Sequence, residues 1–341
     1  MVRSPAPVAA RYGHRVSGES ARIWRRALLV GGGCVVGLAV VYLLAVWTAP
    51  GQRFEDAVLR AADLVAGSDE QARALDTLDA ITVPSVIAAV IVVLFVSALS
   101  RRIVLGAVSV GVIAASVLTT EAIQHYTERP VLLAHGFRRA DQSFPSGHAT
   151  VAMSVMCAVV MVVPYRFRGV AVVVTSLWAA GVGVATVTAS WHRPSDTIGA
   201  DLIVIGYACA AVAVLARWGR VRRAALPTPV GRVLRGLLAG AYTGIAVVAF
   251  AVASLAAGIV FAAADRSGNG PEILLAGRGL ALSGSAAVAV TLLALLRHID
   301  LDAPAAHLAE EGSPDAEAGN AKAGNAGVHR PAGAQRRPPG G

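Results

Sequence analysis

Residues 169–217 read GVAVVVTSLWAAGVGVATVTASWHRPSDTIGADLIVIGYACAAVAVLAR. Two apolar stretches, 170–191 and 195–216, stand back to back, and each is long enough to cross a bilayer core, which takes roughly 20 residues. Their polar residues are concentrated at one junction, Trp191-His192-Arg193-Pro194-Ser195-Asp196. Backbone groups in hydrocarbon must be satisfied within their own segment, so each stretch is expected to be a helix. The pair predicts a transmembrane hairpin whose connecting turn carries His192.

The same pattern extends in both directions. Apolar spans are expected at about 27–48, 81–99, 103–120, 146–164, 170–191, 195–216, 237–264 and 274–296. The predicted fold class is therefore all-α, a polytopic transmembrane helical bundle of about eight spans. Its domains are a basic tail (1–26), a six-span membrane core (27–216), a basic linker (217–236), two additional spans (237–296) and a tail (297–341). That last tail is rich in Ala, Gly, Pro and charge and carries the near-repeat AEAGNAKAGNAG, so it is expected to be disordered.

Composition agrees. Of 341 residues, 55% are hydrophobic and 15% charged, against about a quarter charged in soluble domains. The formal charge is +9, but the arginines fall in short clusters between spans, as topology signals do. Nucleic acid is not an expected partner; the bilayer is. Lys322 is the only lysine, and Ala, Val and Gly abound, the bias of a GC-rich genome. The expected location is a bacterial plasma membrane. Cys34, Cys157 and Cys209 all lie inside spans, where thiols act as small hydrophobes, so no disulfide framework or metal cluster is expected. The run 27–48 is too long for a signal-peptide core of 7–15 residues and reads as a retained anchor.

Orientation is read from arginine placement. The first 26 residues hold six Arg and one Glu, while 49–80 holds three Arg and seven acids, among them Glu55 and Asp56. Arg101 and Arg102, Arg166 and Arg168, and the six arginines of 217–236 mark cytoplasmic turns. Both termini are thus expected inside.

Three polar segments then share the outer face: Glu121–Pro130 (EAIQHYTERP), Phe144–His148 (FPSGH) and Ser190–Asp196 (SWHRPSD). Ser146 suits a helix N-cap, and Gly147 lets a backbone approach a ligand closely. Free amides at a helix N-terminus attract anions, with His148 in that first turn. Pro194 suits the first position of the next helix, which puts His192 just before a second N-terminus. Asp196 is close enough in sequence to hold the His192 ring and fix its tautomer. Arg129 offers a planar fork for phosphate oxygens. A single histidine at a span end is usually an interfacial polar residue, and Pro-Ser-Gly before a helix is ordinary capping. It is their joint occurrence on one face that points to a phosphoryl-transfer site.

These residues resemble the superfamily of type 2 phosphatidic acid phosphatases and vanadium haloperoxidases, whose signature runs Lys-x6-Arg-Pro, Pro-Ser-Gly-His, Ser-Arg-x5-His-x3-Asp. Arg129-Pro130, Pro145-Ser146-Gly147-His148 and His192 with Asp196 carry the resemblance, which covers roughly residues 100–216. It implies His192 as the nucleophile that forms a phosphohistidine, Asp196 as its orienting group and His148 as the acid for the leaving alkoxide. Arg129, Ser146 and the Gly147 amide would hold the phosphoryl oxygens, with no metal or cofactor. Two motif cations are absent: Ala122, or Gln124 in a shifted alignment, stands for the lysine, and Ala185-Thr186 for Ser-Arg. Arg138, Arg139 and Arg193 lie in the same outer segments and are the candidate replacements, with the loop pair ranked above Arg193.

The expected function is hydrolysis of a lipid phosphate or diphosphate, of polyprenyl or glycerolipid type, on the outer face. The alternative is a catalytically degenerate anion-binding or scaffold protein of the same fold. A transporter is disfavoured because the ionisable groups gather at one surface and none is read mid-span, and haloperoxidase chemistry because vanadate needs the missing cations. Nothing in the sequence signals an oligomeric state. A reporter fused after Arg235 is expected to report cytoplasm and one inserted near Gly67 the exterior; the opposite result at both sites would reverse the topology.

Overall fold

The computed structural model describes residues 8–133, 143–224 and 271–301, and part of the stretch 237–259. Its helices are α1 (Val8–Val46), α2 (Ala49–Asp63), α3 (Asp69–Asp79), α4 (Val83–Leu99), α5 (Ile103–Tyr126), α6 (Gly147–Val162), α7 (Arg168–Thr188), α8 (Pro194–Arg217) and α9 (Pro271–Leu295). The fold is an all-α helical bundle. Among the described residues five helices are long and apolar enough to cross a membrane: α1 from Ser20, α5, α7 with the turn before it, α8 and α9. The pair α3–α4, bent by 59°, is apolar enough only when taken together, as a broken span or a re-entrant loop, and α6 is a shorter apolar helix. Most of the expected span 237–264 lies outside the described residues, as do 302–341 of the tail.

Large apolar side chains cover the outside: Leu29, Val35 and Leu43 on α1, Ile91 and Phe95 on α4, Val174 and Leu177 on α7, and Leu275 on α9 are all exposed. A water-soluble protein does not show an apolar surface on this scale, whereas a bilayer requires one. The interior is built on α6 and α8, whose Met153, Met156, Met161, Ile205 and Leu215 are fully buried. Around them pack α1, α5, α7 and α9.

The stretch 49–80, between the first two expected spans, is not a simple connecting loop. It is helical, because strong caps start each piece. Thr48 accepts from the Gly51 amide at 3.1 Å and Pro50 occupies the first turn of α2, while Ser68 accepts from Gln71 to open α3. Helix α2 is amphipathic. Val58, Ala61 and Ala62 pack with Val187 of α7 and with Ile273, Leu274, Ala276 and Ala281 of α9. On the same buried side α2 carries Gln52, Glu55 and Asp56.

At the other end of the bundle the start of the expected disordered tail is a strand. β2 (Ile299–Leu301) pairs antiparallel with β1 (Val221–Arg223). Arg102 grips Asp300 with both ends of its fork, at 2.8 and 3.0 Å, and Arg168 donates to the Ile299 carbonyl at 2.7 Å. Backbone groups and two guanidiniums thus find partners there that no sequence pattern announced.

Helix α9 approaches closely because glycine faces its neighbours. A Cβ on Gly277 would lie 2.5 Å from Val58 Cγ1 and 3.2 Å from Pro194 Cγ. Gly277→Val is therefore expected to overpack the α2–α8–α9 junction and destabilise the fold by about 1–3 kcal/mol, read as a lowered melting temperature in detergent. An unaltered transition would show that α9 is not clamped there.

Candidate active site

The end of α7 and the start of α8 fix His192. Helix α7 closes when the amides of Trp191 and His192 both bond back to the Thr186 carbonyl, at 3.0 and 3.1 Å. Ser190 turns the chain at φ 59°, in the left-handed region that few non-glycine residues occupy. Pro194 then begins α8, and Asp196 reaches back to accept the Arg193 amide at 2.9 Å. His192 is held between two helices, with its Nδ1 3.4 Å from Asp196 Oδ2.

The second motif is tied to the first. Ser146 is the N-cap of α6, accepting from the Ala149 amide, and its own amide donates to the Asp196 carbonyl at 2.9 Å. The two helix N-termini are thereby joined. Phe144 is buried against Gly199 of α8, where a Cβ would meet its ring at 2.6 Å, and its ring packs with Tyr42 of α1, centroids 5.3 Å apart. The Gln124 amide donates to the Pro145 carbonyl at 2.6 Å. His148 leaves the first turn of α6 with its ring edge-on to Trp191, centroids 5.4 Å apart. His192, and Asp79 at the end of α3, both lie close enough to His148 to act on it electrostatically. A Cβ built on Gly147 would meet nothing within 4 Å, so the space beside its Cα is open.

Two arginines complete the cluster. Arg129 Nη2 donates to Glu55 Oε2 at 2.6 Å, and Glu55 Oε1 accepts from the Ser195 amide at 3.3 Å. Arg193 Nη1 donates to the Ser143 hydroxyl at 3.0 Å; that hydroxyl donates to Asp196 Oδ2 at 2.6 Å, and Arg193 Nη2 stands 3.7 Å from Asp56 Oδ1. Burial pushes the Glu55 carboxyl up from the usual carboxylate range, with Arg129 pulling against it; burial also raises Asp56, opposed by Arg193. Arg129 Nη1 and Arg193 Nε are buried with no hydrogen-bond partner among the described residues. Among the described residues each guanidinium thus leaves a donor without a partner, which a buried site seldom does without use.

Of the residues singled out from sequence, Arg129, Ser146, Gly147, His148, His192, Arg193 and Asp196 meet at one end of the bundle. The Ser146 hydroxyl is spent on capping. Arg138 and Arg139 lie outside the described residues. Gln124 sits against the Pro-Ser-Gly-His turn, and Glu121 is exposed on α5. Sequence reasoning passed over Glu55, Asp56, Gln52 and Ser143. The first three recur on one helical face with Leu59, a spacing visible in the sequence, yet acids in such a pattern ordinarily face water. It also read no ionisable group mid-span, whereas Asp201 is buried in α8 and its Oδ2 accepts from Ser285 of α9 at 3.2 Å.

Residues 106–222, running from α5 to β1, match the PAP2 superfamily. No curated protein and no solved structure matches the chain. The matched segment contains both histidines, Asp196, Arg129 and Arg193; α2 and α9 fall outside it. Thr186, at the position of a motif arginine, is fully buried and its Oγ1 lies 3.4 Å from Thr197 Oγ1. Thr186→Arg would bury a cation where a hydroxyl now packs, so it is expected to destabilise the protein by about 3 kcal/mol or more instead of restoring the motif. An unchanged melting temperature would show room that this packing does not provide.

Proposed function

We propose, for this phosphatase-like membrane protein with a PAP2-superfamily domain over residues 106–222, that it hydrolyses a lipid phosphate or diphosphate through a phosphohistidine. The observation that carries the proposal is the convergence of the His192–Asp196 pair and His148 on two joined helix N-termini. Asp196 accepts the Nδ1–H of His192 and leaves Nε2 with its lone pair free. Nε2 attacks phosphorus, the bond to the ester oxygen breaks, and protonated His148 gives its proton to the departing alkoxide. Neutral His148 then takes a proton from water as that water attacks the phosphohistidine, which releases phosphate and restores His192. The Gly147 amide and the uncommitted donors of Arg129 and Arg193 would hold the phosphoryl oxygens, where charge develops.

A lipid substrate is supported by the surroundings. A cavity of about 420 Å³ adjoins Glu55 and Ser195 and is otherwise lined by apolar residues, including Val41, Leu44, Phe54, Ile198 and Leu280. By the arginine distribution the site faces outward and both termini inward.

One observation favours a second reading, a degenerate anion-binding or scaffold protein. Both described arginines of the site already face carboxylates, Arg129 on Glu55 and Arg193 opposite Asp56. The two readings separate by assay. On detergent-solubilised protein with polyprenyl and glycerolipid phosphates, His192→Ala is expected to abolish phosphate release. His148→Ala is expected to slow it by roughly 10²–10⁴, and Asp196→Asn strongly. An unchanged rate in His192→Ala excludes the phosphohistidine route. No release by the unmodified chain on any of these lipids selects the scaffold.

A further inference from the structure

The acids of α2 are not accidents of a surface helix. Thr48 starts the helix, and Gln52 clamps it to the chain beyond α5, donating to the Pro130 carbonyl at 2.6 Å and accepting from the Leu132 amide at 3.2 Å. One turn on, Glu55 is thereby set against Arg129, and Asp56 against Arg193. Both acids are more than nine-tenths buried. Burying a carboxylate costs several kcal/mol unless a partner compensates it, so a helix that turns two of them inward does so only where cations wait. Asp196 is the third buried acid, fully enclosed beside His192. Among the described residues two buried guanidiniums thus face three carboxylates, and each guanidinium already has an acid against it.

We propose that Glu55 and Asp56 are specificity-determining residues: each pre-empts one arginine, so that the site admits a phosphate group carrying a single negative charge and discriminates against the dianion. The proposal rests on the phosphate-site reading above and adds the charge of the group accepted. A phosphodiester, or a monoester holding one proton, needs one anionic contact and finds it at the remaining guanidinium donors. A dianion adds a second charge beside arginines that already face carboxylates, with Glu55 close to Arg129 and Asp196 close to Arg193. The charged groups around Glu55 are Arg129 on the chain after α5, Asp196 on α8 and Asp56 on its own helix. Asp56 meets Arg193, Arg129 and, one turn along its own helix, the partly exposed Arg60. Neither the stretch Ala27–Val46 of α1 nor the near end of α7 carries a charge, and α9 brings Glu272 and Arg278, the latter paired with Glu70.

The test uses the full chain in detergent and two small probes of matched chemistry. Dimethyl phosphate is a monoanion at any working pH, whereas methyl phosphate, with a second pKa of about 6, is mostly a dianion at about pH 7.5. Binding is measured by calorimetry for the unmodified protein, Glu55→Gln and Glu55→Gln/Asp56→Asn. The unmodified protein is expected to prefer dimethyl phosphate at about pH 7.5, and the double variant to shift the ratio of the two dissociation constants toward methyl phosphate by about tenfold or more. A purely structural role for the two acids would weaken both probes alike and leave that ratio in place. Should the variants not fold, the unmodified protein alone decides. Its affinity for methyl phosphate must rise toward that for dimethyl phosphate as the pH is lowered to about 5, where the probe has gained its proton. Tighter binding of methyl than of dimethyl phosphate at about pH 7.5, or a ratio indifferent to the substitutions, would overturn the proposal and leave the phosphatase reading standing. Failure of every protein to bind either probe would overturn both.

Discussion

Asp196 is a carboxylate with no exposed surface, and the contacts that compensate its burial fall on one oxygen. One of its oxygens takes the Ser143 hydroxyl, the Arg193 amide and the His192 ring, while its backbone carbonyl takes the amide of Ser146. Those contacts join the end of α7, the start of α8 and the start of α6 in a space of a few ångströms. Both histidines descend from that junction. If the carboxylate were moved, the ring of His192 would lose its orientation and the Ser143 hydroxyl its acceptor.

Around the junction the chain has built beyond the segment that matches the PAP2 superfamily. Helix α2 lies across the site end and supplies a counter-charge to each arginine. Helix α9 closes behind it, approaching through Gly277 against Val58 and Pro194 and through Ser285 against Asp201. At the opposite end the strand pair β1–β2 and the Arg102–Asp300 ion pair tie the same α9 to α4, α5 and α7. The added elements therefore hold the bundle at both ends, and only at one of them do they alter its chemistry. Among the described residues, the two acids of α2 set one carboxylate against each arginine of the site.

The sequence by itself determined whatever the solvent dictates. Long apolar runs leave backbone groups no partner but their own helix, so the bundle and its spans at 103–120, 170–191 and 195–216 were legible, as were the caps and motif residues at their ends. Short local patterns carry such information because capping involves residues three or four apart. The tertiary structure alone decided what faces what. Glu55 and Arg129 are 74 residues apart, and Asp56 and Arg193 further still; no local spacing relates them, and an amphipathic helix with acids on its buried face contradicts the usual assignment of charge to water. The strand at Ile299–Leu301 escaped for a similar reason, since three residues of ordinary composition become a strand only when β1 and two arginines lie beside them. Pairings of that kind draw their energy from burial shared between distant segments, and burial is a property of the folded chain.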